Sequence, residues 1–138
     1  MRSRSAALVV AAGASAAVVA ASLLPWVRSG EVDRSGFALA GAARRAGLSD
    51  IRLVRAVIDA WFVLPALAAA AWTAATMRRE KTAAVFSILT GAVGIGNGIA
   101  VLASHVETRA GPPASIAAGA VAMASGFWLA RQGRQAHD

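Results

Sequence analysis

Arg55 and Asp59 stand four residues apart in one apolar stretch, and Asn97 sits in another, inside Gly94-Ile95-Gly96-Asn97-Gly98. These are the residues whose types and spacing could do chemistry. An acid near hydrocarbon can serve as a proton relay or a cation site. An arginine one helical turn before it shares its face. Asp59 falls at the outer end of its stretch, with Trp61 and Phe62 just below it. That setting favours an interfacial ion pair anchoring the helix over a relay. Asn97 is a polar amide among glycines, and an interhelical hydrogen bond is the commonest use of such a residue. The alternative is a glycine-loosened segment lining a cavity, with Pro65 kinking the helix opposite it.

Nothing else assembles into a reaction centre. His105 and Glu107 lie together in a short connection, while His137 is remote from both. Two candidate ligands do not make a metal site, so a solvated turn is expected. The glycine run is no dinucleotide fingerprint, because no strand precedes it. With no cysteine in the chain, disulfides, thiolate metal sites and thiol catalysis are excluded together. No nucleophile–base pair, carboxylate pair or phosphate loop can be built. The expectation is a protein that is not an enzyme, with no cofactor and no metal. A membrane enzyme using His105 and Glu107 is a remote third class.

The elements that must position these residues follow from composition. Of the 138 residues, 57% are hydrophobic and 15% charged, and mean hydropathy is +0.58. Soluble domains carry roughly 25% charge, so polar surface is too scarce here to cover a globule in water. A bilayer core of ~30 Å takes ~20 helical residues, and four Ala-rich runs have that length: 5–24, 56–77, 82–103 and 114–130. Backbone groups in hydrocarbon must be satisfied internally, so each run is predicted to be a helix. Short connections at 78–81 and 104–113 make neighbours antiparallel. The predicted fold is all-α, an integral membrane four-helix bundle forming a single domain over 1–138, multi-pass in the cell (inner) membrane. The basic start Met1-Arg2-Ser3-Arg4 resembles a signal peptide, but the apolar run after it reaches span length, so retention is expected.

The one sizeable loop, about 27–55, joins the first two spans. Pro25 and Trp26 end the first span, since proline cannot continue the ladder and tryptophan prefers the headgroup level. Ser35 is placed to cap a short helix ending at Arg44-Arg45, with Gly47 as its stop. Phe37, Leu39 and Ala40 would face lipid or the bundle, and the arginines headgroups. Ser49-Asp50 reads as the start signal of a helix continuing through the second span. The turn Ala110-Gly111-Pro112-Pro113 separates the last two spans, Pro113 suiting a first helical turn.

The formal charge of +7 comes from arginines scattered beside the spans. That distribution points to anionic lipid headgroups and not to nucleic acid. With the N-terminus inside, the basic residues divide equally. Arg2, Arg4, Arg78, Arg79, Lys81, Arg131 and Arg134 lie inside; Arg28, Arg34, Arg44, Arg45, Arg52, Arg55 and Arg109 lie outside. The inside set crowds span ends in short segments, where the positive-inside rule acts best. The outer loop dilutes its charge with Glu31, Asp33 and Asp50. Both termini are therefore expected in the cytoplasm. Trp26 and Trp61 would then form an outer aromatic belt, and Trp72 and Trp128 an inner one. Small residues four apart (Gly13, Ala17 and Ala21; Gly94 and Gly98; Ala118, Ala122 and Gly126) would pack helices closely, within one subunit or between copies.

Leu24-Pro25-Trp26-Val27-Arg28-Ser29-Gly30, then Arg34-Ser35-Gly36-Phe37-Ala38-Leu39, resembles a pattern in small polytopic membrane proteins of actinobacteria. Ala60-Trp61-Phe62-Val63-Leu64-Pro65 is similar to their second motif. The resemblance covers roughly half the chain and implies a four-span inner-membrane protein; it carries over no catalytic residue. Small multidrug exporters have a similar length and span number but need an acid deep in the first span, and none is present here. The functional expectation is an accessory or assembly subunit of a cell-envelope membrane complex. It would bind a membrane-protein partner, or itself as a homo-oligomer, through Trp26, Arg28, Arg34 and Phe37. The alternative is a small oligomeric transporter or channel using Asp59, Pro65 and Asn97.

Overall fold

The computed structural model describes residues 2–104 and 106–134. Among them the chain forms α1 (Arg2–Leu23), strands β1 (Pro25–Ser29) and β2 (Val32–Ser35), α2 (Gly36–Arg45), a 3₁₀ turn (Leu48–Asp50), α3 (Arg52–Thr76), α4 (Glu80–Leu102) and α5 (Gly111–Arg134). Four helices are long and apolar enough to cross a membrane: Ser5–Leu23, Val54–Thr76, Glu80–Leu102 and Gly111–Gln132. Their outward faces carry large apolar side chains, among them Val9, Val85, Ile99, Val121 and Phe127. Water would demand polar groups there; lipid does not.

The bundle is held by small residues. A Cβ on Gly91 would come within 2.5 Å of the Gly119 carbonyl oxygen, and one on Gly126 within 2.9 Å of that of Ala84. The α4 and α5 backbones therefore touch, and van der Waals packing replaces the hydrophobic drive that lipid removes. Gly98 belongs to this seam, its missing Cβ facing Ile116 and the Pro112 carbonyl, whereas Gly94 faces Val18 and Ser115. The ridge expected on α1 divides. Ala21 is buried, but Gly13 and Ala17 are exposed, and nothing lies within 4 Å of a Cβ at Gly13.

Buried hydroxyls satisfy themselves on carbonyls. Ser15, Ser22 and Thr90 donate one turn back to Ala11, Val18 and Phe86, and Ser115 crosses from α5 to the Gly94 carbonyl at 3.0 Å. This is how a helix tolerates such groups away from water.

Two boundaries and one loop differ from the sequence reading. Pro112 and Pro113 lie inside α5, not before it. The first turn of a helix has unpaired N–H groups, so proline's missing donor costs nothing there. Ser49 and Asp50 form the separate 3₁₀ turn, and extended Ile51 (φ −84°, ψ 115°) precedes α3, which has no side-chain cap. The loop also holds a β-hairpin. Ser29 faces Val32 across the two-residue turn Gly30-Glu31, with Gly30 at φ 64°. A positive φ at the first turn position suits the twist of a tight hairpin and favours glycine.

Two buried clusters occupy opposite ends. At the hairpin end lie Val18, Trp26, Val27, Ala40, Ile58, Trp61, Leu64 and Val101. At the other end, beside the α3–α4 turn, the cluster is mostly alanine with Leu8 and Leu129.

Candidate functional site

The hairpin, α2 and the α4–α5 connection form a cap on one end of the bundle, and two tryptophans are its node. In β1, Pro25 faces Ser35 and Val27 faces Arg34, so Trp26 is an extra residue in the ladder. Successive strand residues normally point to opposite faces. A bulge re-aims a side chain, and here both Trp26 and Val27 are buried. Trp26 is 0% exposed and Trp61 2%. Their rings meet edge to face with centroids 4.3 Å apart, and Phe37 stacks edgewise on Trp61 at 6.0 Å. The Trp26 Nε1–H donates at 2.7 Å to the Ala21 carbonyl in the last turn of α1, which also accepts the Leu24 N–H at 3.2 Å, so the buried indole N–H has its partner.

Two glycines seat the backbone on these rings. A Cβ at Gly36 would lie inside the contact surface of the Trp61 ring, and one at Gly111 inside that of Trp26. The first residues of α2 and α5 are thus pressed flat against indole. Ser35 caps α2 as expected, its Oγ accepting from the Ala38 N–H at 3.3 Å. Ala40 is buried, and Phe37 and Leu39 are half-buried against the same cluster. Arg44 lies over the Phe62 ring, 5.4 Å from its centroid.

A third segment locks the hairpin. The Arg28 N–H donates to the Glu107 carbonyl at 3.1 Å and the Arg109 N–H to the Trp26 carbonyl at 3.0 Å, while Val27 and Thr108 pair as an antiparallel bridge. The Arg109 guanidinium lies 3.2 Å from Glu107 Oε1 and 3.5 Å from Asp33 Oδ1. Its Nε is buried without a hydrogen-bond partner, so the Asp33 contact is proximity of charge and not an aligned bond. Partly exposed ion pairs contribute ~0–1 kcal/mol. The backbone ladder fixes this segment more than the charges do.

The residues singled out from the sequence land as follows. Trp26 presents no surface, and Phe37 is half-buried with its ring on Trp61; both hold the cap. For the same reason Trp26 and Trp61 form no aromatic belt, because the bulge and the two glycines draw them inward. Trp72 and Trp128 are exposed. Arg28 is exposed and Arg34 half-buried. Asp59 is exposed on α3, in a pocket of about 290 Å³ with Arg44, Arg55 and Ile58. Pro65 is also exposed, and α3 runs through it. Asn97 points inward, 3% exposed, and its Nδ2 has no partner; the interhelical bond at this level comes from Ser115. Asp59 and Pro65 therefore face outward while Asn97 faces in. His105 lies outside the described residues, and Glu107 pairs with Arg109. No group of three potential metal ligands occurs among the described residues.

Sequence reasoning missed the hairpin, Arg109, and the roles of Gly36 and Gly111. The hairpin had a signal: Gly30-Glu31 between Val27-Arg28-Ser29 and Val32-Asp33-Arg34, a glycine-led two-residue turn. The glycines had none, since what they touch is remote in sequence. No family model, curated protein or solved structure matches the chain.

Proposed function

We propose that the protein is a non-enzymatic accessory or assembly subunit of a cell-envelope membrane complex. It sits in the cell membrane with both termini in the cytoplasm and docks through its cap on the outer face. The observation that carries this reading is the cap's construction. A loop that only joined two spans would need no strand bulge, no buried tryptophan pair and no stitch to a second loop. Ordering a segment costs roughly 1–2 kcal/mol of backbone entropy per residue, and a platform ordered in advance saves that cost on binding.

Its free surface suits a protein partner. Val32 at the hairpin tip is 58% exposed, Leu48, Ile51 and Val106 are also exposed, and Arg28 stands exposed in β1. Arginine is enriched at interfaces, and the apolar side chains beside it supply area that a partner can bury.

The test is gentle-detergent purification of tagged protein from its native membrane, with mass spectrometry of what accompanies it. A stoichiometric membrane partner, lost in the double variant Arg28→Glu/Val32→Asp, is expected. Recovery alone as a homo-oligomer would contradict the accessory role and favour transport.

A further inference from the structure

At the end of the bundle opposite the cap, α3 closes in a Schellman turn. The Arg79 N–H donates to the Ala74 carbonyl at 2.8 Å, and the Arg78 N–H to that of Ala75 at 3.0 Å. This turn requires a left-handed residue after the helix, usually glycine. Here it is Arg78, with φ 54°, the one non-glycine with positive φ among the described residues. A side chain kept where the backbone prefers none points to a use for that side chain.

Arg78 stands at the end of a groove between α1 and α3. The groove encloses about 260 Å³ and is walled by Leu8, Val9, Ala12, Trp72 and Ala75. Trp72 is 54% exposed and Val9 more so, so the trough opens sideways from the bundle. It lies between two helices apolar enough to span a membrane. Its walls suit a hydrocarbon chain, and its surface end suits an anion, since a guanidinium presents a planar fork to phosphate oxygens. The surrounding turn carries Arg78, Arg79 and Lys81 against Glu80 alone, and no carboxylate lines the groove to receive a headgroup ammonium.

We propose that this groove binds one anionic phospholipid, an acyl chain lying along Leu8, Val9, Ala12 and Trp72 and its phosphate held by Arg78. The lipid ties α1 to the α3–α4 turn at the end of the bundle whose core is mostly alanine.

Thermal unfolding of the purified protein in neutral detergent tests this, with phosphatidylglycerol or phosphatidylcholine added. Phosphatidylglycerol is expected to raise Tm by about 3–6 °C more than phosphatidylcholine does. Arg78→Gly, which relieves the left-handed backbone, should match or exceed the wild-type Tm without lipid, yet lose the phosphatidylglycerol increment. Val9→Trp should fill the exposed trough and abolish both lipid increments, while Lys81→Gln keeps them. Equal increments from the two lipids would overturn the proposal. So would a full increment in Arg78→Gly, or a loss in Lys81→Gln as large as in Arg78→Gly, which would assign the effect to the general charge of the turn. A Tm that tracks protein concentration and ignores lipid would give the groove to a second copy, and overturn it too.

Discussion

The indole rings of Trp26 and Trp61 meet edge to face, 4.3 Å between centroids with planes at 77°. One ring stands on the bulged strand after α1, the other on α3. Through Gly36 and Gly111 the same pair also receives the first residues of α2 and α5. Four elements, β1, α2, α3 and α5, thus converge on one aromatic contact, which sets the cap's position on the bundle. An aromatic pair of this geometry contributes about 0.5–1.5 kcal/mol beyond its buried area. The larger effect is that every element touching it shares one geometry.

Gly36→Ala and Gly111→Ala should each destabilise the protein by about 1–3 kcal/mol, the cost of overpacking a filled site. The added methyl would overlap indole in both cases. Thermal unfolding in detergent, followed by tryptophan fluorescence, checks this, and Gly41→Ala serves as control because only the Arg45 guanidinium lies near it, at 3.6 Å.

The four spans were legible because hydrocarbon allows few solutions: long apolar runs must be helices, and their ends carry proline, arginine or glycine. The short helix after Ser35 was legible for a similar local reason, a cap and a stop within a dozen residues. Trp26 was misplaced because its burial depends on a bulge, and a bulge is defined by a partner strand. Asn97 was expected to bond across helices, yet Ser115 holds the α4 carbonyl nearby. Which small polar residue wins a shared interface depends on how two helices rotate, and one helix's sequence does not contain that.

The small-residue ridges make opposite predictions on α1 and α4. Gly91→Ala would press on the Gly119 carbonyl at 2.5 Å and Met123 Cγ at 2.7 Å, and should cost about 1–3 kcal/mol. Gly13→Ala meets nothing within 4 Å and should leave stability unchanged or slightly raised, as alanine is the better helix former. Unfolding midpoints of the two variants in one detergent decide the contrast.

Asn97→Leu should raise stability by about 1 kcal/mol. A buried donor without a partner costs ~1–3 kcal/mol, and an apolar side chain of similar size removes that penalty. A lower unfolding midpoint would instead show that the amide is bonded in the folded bundle.

The chain's lack of cysteine makes topology directly measurable. Glu31→Cys at the hairpin tip should react with a membrane-impermeant maleimide on intact cells. Lys81→Cys, in the α3–α4 turn, should react only after permeabilisation. The reverse pattern would invert the orientation and move the cap to the cytoplasmic face.

The most direct test of the cap as a docking platform is site-specific photo-crosslinking in native membranes. A photoreactive residue at Val32 on the hairpin tip is compared with one at Val121 on the exposed face of α5. The account predicts one discrete protein adduct from Val32, lost when Arg28 is changed to Glu, and none from Val121. No protein adduct at Val32, or the same adduct from both positions, would contradict it.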